Sequence, residues 1–233
     1  MTENDFEFIK QNAARVKACV EQYENARLMA VIKTRTDEEI EFAVKGCGIP
    51  LVGENRVQEL LSHYETLRQC GAEIHLIGTL QKNKVKYICD KVDMIESVDS
   101  EALAEEIDKR SAAIGKVMDV LIEINIGREA QKGGILPGDA CDFLKSIEKY
   151  KYINALGFMT VAPKCAAQDE YVKYFREFVQ VSRDAFTRAG KKSAPLLSMG
   201  MSDNYPIALE CGSNIVRVGS GIFGPRRYQN IPQ

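Results

Sequence analysis

The chain has 233 residues, 31 Lys+Arg against 33 Asp+Glu and 45% apolar composition, which fits one domain over residues 1–233 and excludes a disordered or fibrous protein. A formal net charge of -2 with interspersed signs offers no basic stripe for neutralising a phosphate backbone, so nucleic acid is not an expected partner. The opening MTENDFEFIK lacks the basic and apolar regions of a signal peptide, and nowhere do 18 apolar residues run together, so a cytoplasmic protein without membrane contact is expected.

The seven cysteines, at 19, 47, 70, 89, 141, 165 and 211, are odd in number and contain no CxxC pair. They read as reduced packing thiols, not as a disulfide framework or a zinc ribbon. With His63 and His75 the only histidines, a metal site would have to rest mainly on carboxylates.

Along the chain, short β-branched runs alternate with stretches of helical spacing. A helix at about residues 3–24 comes first and could close the bottom of a barrel. The strand candidates then follow as LMAVIK (28–33), IPLVG (49–53), EIHLIG (73–78), VDMIES (92–97), VMDVLIEIN (117–125), INALGFMTV (153–161), APLLSMG (194–200) and NIVRVGS (214–220). Helix candidates lie between them, including DEEIEFAVKGCG, with Gly46 and Gly48 as stop signals, and the long amphipathic DEYVKYFREFVQVSRDAFTRAG, ended by Gly190. Each is long enough for a right-handed crossover between parallel strands. Eight such units in one α/β chain favour a (β/α)8 barrel, although a doubly wound open sheet gives the same alternation.

Ligands of parallel α/β proteins bind outside the carboxyl ends of the strands, and polar residues concentrate there. Lys33 follows the apolar LMAVI where it can point into a barrel mouth. Partial desolvation there would lower its pKa and expose a nucleophilic amine of the kind a Schiff base requires; alternatively it ends the strand in solvent. Arg35 and Thr36-Asp37 read as a loop and a helix N-cap. Strand two ends in GENRVQELL, which brings Asn55 over the mouth and Glu54 to a helix start. His75 reads as a core or wall histidine, Lys132 in INIGREAQKGG as a solvated loop lysine beside Asn125 and Glu129, and Met159 as packing.

The last two strands are more specific. LLSMGMSDNYP offers the hydroxyls of Ser198 and Ser202, and NIVRVGSGIFG places Gly219, Gly221 and Gly224 just past a strand. Barrels often seat a phosphate in these two loops, where small residues let backbone N–H groups approach an anion. With period-two alternation Arg217 and Gly219 share one face and Val216 and Val218 the other. If Arg217 faces inward it is a buried cation needing a partner; if outward, the valines fill the barrel.

The runs AVIKTR, VGENRVQE, HLIGTLQKNK, INIGREAQKGG, LGFMTVAP, LSMGMSDNY and VRVGSGIFGPR, in this order over about residues 28–227, resemble the YggS/PROSC family of pyridoxal phosphate homeostasis proteins. The resemblance implies a single-domain barrel like the amino-terminal domain of alanine racemase, the fold-type III group, with pyridoxal 5'-phosphate held on Lys33 as an internal aldimine. It further implies Ser198, Gly219 and Ser220 on the phosphate, Arg217 facing the pyridine nitrogen and Asn55 near the ring. Two departures are visible: Ile74 and Leu76 replace aromatics common around the strand-three histidine, and Arg35 replaces a common second lysine.

An arginine at the ring nitrogen disfavours the protonated, carboxylate-paired ring that makes the strongest electron sink. The chain ends within about ten residues of the strand-eight loop, so the racemase's second domain and its tyrosine base are expected to be missing, and a monomer is expected. The reading is therefore a carrier that takes part in intracellular cofactor homeostasis, affects amino-acid and keto-acid balance indirectly, and passes the cofactor to apoenzymes, with Lys132 a candidate for capturing the aldehyde during transfer. A slow racemase or lyase and a Schiff-base aldolase on sugar phosphates are the alternatives.

Overall fold

A computed structural model describes residues 2–225. Arg226, the last residue of the VRVGSGIFGPR run, lies outside them. All eight apolar runs form strands: β1 (Arg27–Val31), β2 (Leu51–Glu54), β3 (Glu73–Leu76), β4 (Met94–Val98), β5 (Met118–Glu123), β6 (Ile153–Met159), β7 (Leu196–Met201) and β8 (Ile215–Val218). They pair in parallel and in chain order, and β8 pairs back onto β1. The sheet is thus a closed barrel, and the open-sheet alternative is excluded.

The helices are α1 (Glu3–Val20), α2 (Asp37–Glu41), α3 (Val57–Cys70), α4 (Glu101–Ala113), α5 (Ala140–Ile147), α6 (Gln168–Arg188), α7 (Tyr205–Glu210) and α8 (Ser220–Phe223). Thr36 caps α2 by accepting from Glu39 N at 3.3 Å, while the Glu39 carboxylate accepts from Thr36 N at 2.9 Å. A π-helical turn, Phe42–Gly46, extends α2 to the expected glycine stop. Past α6, Gly190 takes a φ of 75°, which only glycine adopts readily. The β3–β4 crossover departs from expectation, being a 3-10 helix over Lys82–Tyr87. QKNKVKY carries too few apolar residues to offer an α-helical stripe.

Helix α1 does not close the barrel bottom. Its buried stripe Ile9, Ala13, Val16 and Val20 packs on the barrel's outer side. Its flanks meet α8, through Asn12 Nδ2 donating to Ile222 O at 3.3 Å, and the turn after α2, through Lys17 Nζ donating to Cys47 O at 3.0 Å. It therefore stands where the eighth outer helix of a barrel belongs. The reason is length: α8 has only four residues and leaves that flank of β8 and β1 uncovered.

Alternation sorts the strand residues between two cores. Val216 and Val218 join the layer between sheet and helices, whereas Ile215 packs inside with Met29, Val31, Leu51 and Ile77. A second interior cluster holds Met94, Leu121 and Met159, so Met159 is packing. Each such burial contributes about 1.5–3 kcal/mol. Polar residues share the interior with them: Arg217, Ser198, Glu96 and His75 are all buried.

Candidate functional site

The inward face of β1 carries Met29 and Val31, and two residues on stands Lys33, half-buried on the wall of a cavity of about 250 Å3 at the carboxyl end of the barrel. Asn55, Arg217, Gly219 and Ser220 line the same cavity, together with Arg35, Ser202 and Asp203. Five of the six residues that the resemblance places on the cofactor thus meet at one place. The sixth, Ser198, is fully buried beneath it and is not on the wall.

The cradle after β8 is shown by its hydrogen bonds. Gly219 N and Gly221 N both donate to Ser202 Oγ, at 3.2 and 3.1 Å. Two backbone donors from one loop thus converge on an oxygen, the arrangement an anionic oxygen group would use. A Cβ on Gly219 would meet nothing closer than 3.4 Å, so this glycine keeps the wall low without being demanded by packing. Ser202, one of two hydroxyls noted in the sequence, stands at the rim beside these amides, whereas Ser198, which the resemblance places on the phosphate, is buried below the cavity.

On the β2 side, Glu54 Oε1 accepts from Asn55 N at 2.5 Å and Arg56 N at 3.0 Å, fixing the turn that presents Asn55. Burial raises the Glu54 carboxyl to about 7, against the pull of those N–H groups and of nearby Lys33. Gly78 lies against this turn, where a Cβ would stand 2.2 Å from Asn55 O, so no larger residue fits without moving the backbone. Asn55 Oδ1 is buried with no hydrogen-bond partner among the described residues, an acceptor left to a ligand.

Arg35 is not a solvated loop residue. It is 5% exposed, and it donates to Phe223 O at 3.3 Å and Gly224 O at 2.9 Å while lying over the Phe223 ring. This planar two-point grip ties the loop of Lys33 to the loop after β8, which a lysine's point charge would not reproduce.

Beneath the cavity runs a ladder of alternating charge. Arg217 donates from NH1 to Ser198 Oγ and from NH2 to Thr160 O, each at 2.7 Å. Ser198 Oγ donates to Glu96 Oε2 at 2.6 Å, and Glu96 Oε1 lies 2.7 Å from His75 Nδ1. His75 Nε2 reaches Glu73 Oε1 at 3.0 Å, and Glu73 pairs with Arg27 at the barrel's lower end. Burial alone would lower the His75 pKa, but hydrogen bonds to Glu73 and Glu96 overcome it and raise it to about 9. His75 and Arg27 in turn hold the Glu73 carboxyl down at about 2. Burial pushes the Arg217 pKa down, opposed by Glu96 and Glu123. The Glu123 carboxyl is itself raised to about 7 by burial and by Asp99.

Sequence reasoning missed Glu96, Glu123 and Thr160. The available signal was Glu96 within the apolar VDMIES run, at the alternation position of inward-facing Met94. Lys132 pairs with Glu129 and lies outside the cavity wall that holds Lys33. Asn125 fastens its loop, donating to Glu129 O at 2.8 Å and accepting from Glu129 N at 3.1 Å.

A closed parallel barrel with a lysine past its first strand, an arginine on its floor and a glycine cradle past its last defines the class of alanine racemase amino-terminal barrels. The family model for the alanine racemase N-terminal domain matches residues 5–227. A pyridoxal phosphate homeostasis protein of Aquifex aeolicus is 42% identical over 204 residues, covering 87% of this chain and 88% of its own. Another from Escherichia coli K12 is 32% identical, covering 93% and 92%. The chain belongs to the pyridoxal phosphate homeostasis protein family. Among solved structures, PipY of Synechococcus elongatus with PLP bound superposes with a TM-score of 0.82 at 29% identity, over 91% of this chain and 100% of PipY. Alanine racemase of Clostridium difficile shares the fold with a TM-score of 0.74 at 18% identity, over 98% of this chain but 58% of the racemase.

Proposed function

We propose that this protein binds pyridoxal 5'-phosphate reversibly on Lys33 and serves as an intracellular reserve that delivers it to apoenzymes. The observation that carries the reading is the meeting of Lys33, the Asn55 acceptor, the Arg217 guanidinium and the Gly219–Ser220 loop on one cavity. The amine of Lys33 takes the aldehyde, Arg217 faces the ring, and the backbone of Gly219 and Ser220 with Ser202 holds the phosphate. Bound pyridoxal phosphate supplies an electron-accepting ring that stores carbanion charge. Arg217 offers only donors and a permanent positive charge, so it withholds the carboxylate that would keep a proton on the ring nitrogen. The titratable groups among the described lining residues are Lys33, Arg35, Asp203 and Arg217, with no tyrosine or histidine to act as a second base. This supports a carrier over a racemase or lyase, for which Asp203 is the candidate second base.

A cytoplasmic monomer is part of the proposal. Its support is the seven free cysteines, as a reducing compartment keeps them. No helix among the described residues is long and apolar enough to cross a membrane.

The deciding experiment is an absorbance spectrum of the purified protein before and after borohydride, with mass spectrometry of the reduced adduct. A pyridoxyl group on Lys33 is expected; a colourless protein that traps a keto-sugar would overturn the reading in favour of an aldolase. For the cradle, Gly219→Leu should stay folded, its unfolding midpoint moving by no more than about 4 °C, while cofactor retention on gel filtration falls at least about tenfold. Retention equal to wild type would remove Gly219 from the phosphate site.

A further inference from the structure

We propose that Glu96, which lies below the cavity and touches no wall of it, is the positioning residue for the cofactor's pyridine ring, acting through Ser198 on Arg217. The inference rests on the cofactor reading above.

The argument is one of directional hydrogen bonds. Glu96 is wholly buried and each of its carboxylate oxygens is committed, Oε1 to His75 and Oε2 to Ser198. A hydroxyl has one proton. Ser198 gives that proton to Glu96 at 2.6 Å, so only its lone pairs face Arg217, whose NH1 it accepts at 2.7 Å. The second guanidinium nitrogen is fixed by Thr160 O, also at 2.7 Å. Two fixed points on a planar fork leave one rotation, so the edge of Arg217 turned to the cavity is set from below. Without an acceptor such as Glu96, the Ser198 hydroxyl would be free to rotate and its lone pairs would no longer be held toward NH1.

A purely structural role accounts poorly for this arrangement. Burying Glu96 and His75 where Met94, Leu121 and Met159 already pack is expensive, and a well-packed apolar pair in their place would serve stability as well or better. The charges facing Arg217 come from two strands, Glu96 on β4 and Glu123 on β5. Of these, Glu96 is the one bonded to a residue that touches Arg217. His75 then holds Glu96 oriented from the other side.

The test compares affinities for pyridoxal 5'-phosphate and for its 1-deaza analogue, in which carbon replaces the ring nitrogen. A correctly presented charged donor is worth about tenfold, so wild type should prefer the natural cofactor by about that factor. Glu96→Gln keeps the size, but its single carbonyl oxygen cannot accept from both Ser198 and His75. It should bring the ratio to within about threefold of one, while the phosphate and lysine contributions, common to both probes, persist. Ser198→Ala breaks the same chain by removing one small hydroxyl, and decides the matter if Glu96→Gln does not fold. An unchanged ratio in a folded variant overturns the proposal, because a merely structural residue would weaken both probes alike. The wild-type adduct on Lys33 is read separately: its absence sinks the cofactor reading, whereas an intact adduct with an unchanged ratio sinks the positioning role alone.

Discussion

Lys33→Ala is expected to give a folded protein without a visible chromophore and without any borohydride-stable pyridoxyl adduct. On the proposed function the amine of Lys33 is the group that makes retention covalent, and no other lysine lines the cavity among the described residues. Losing that bond should weaken apparent affinity by on the order of a hundredfold or more, leaving the weaker grip of the cradle and Arg217. The fold should tolerate the change. Lys33 stands past the end of β1 and is half-buried, and the strand itself is held by Met29 and Val31 inside the barrel and by Leu28, Ala30 and Ile32 outside it. A stability cost of no more than about 1 kcal/mol is expected from unfolding curves taken without cofactor. An adduct of wild-type yield in this variant, located on another lysine, would displace Lys33 from its role.

The second large effect is on stability at alkaline pH. His75 has a folded-state pKa of about 9 against an ordinary 6.5, because Glu96 and Glu73 overcome its burial. A raised pKa means the folded state holds the proton more tightly. The contribution is therefore fully present below about 6.5 and is lost as pH rises through about 9, a difference of roughly 3 kcal/mol. Glu54 and Glu123, raised to about 7, act earlier: their protonated forms favour the folded state, and this is lost between about 4.5 and 7. Glu73, held at about 2, has the opposite sense, its contribution being lost as pH falls through that value. Urea unfolding across this range should therefore show a further decline above neutrality that belongs to His75. His75→Leu should cost about 3–5 kcal/mol near neutral pH, since it strands Glu96 without its partner, and should flatten the alkaline limb. An alkaline limb of the same steepness in that variant would show that the His75 proton is not what holds this part of the barrel.

The strands were legible because a parallel barrel buries both faces of its sheet, which writes continuous apolar runs into the sequence. The rim was legible because chemistry collects at strand ends, and Lys33, Arg217 and Gly219 sit where those runs stop. The facing of Arg217 was not. Alternation pairs it with Gly219 but does not say which set looks inward, and that was decided by the outer helices, which took Val216 and Val218 for their own core. Ser198 and Ser202 were interchangeable as hydroxyls in one short run. Four residues apart, they differ in that Ser198 lies in the middle of a strand, over Glu96, and Ser202 just beyond its end, under the amides of Gly219 and Gly221. Helix α1 was predicted as an element and misplaced in space, because nothing local announces that α8 is too short to cover its own flank.

That short α8 has a consequence for how loading is felt by the rest of the molecule. The seam where β8 meets β1 is sealed by a helix from the other end of the sequence, through Asn12 on Ile222 and through the grip of Arg35 on Phe223 and Gly224. On the proposed function, the amides that would take an anion therefore belong to the same few residues that zip the cylinder shut. If that reading holds, filling the pore and fastening its wall become one event, and an empty molecule would be the one whose staves are most easily pried apart.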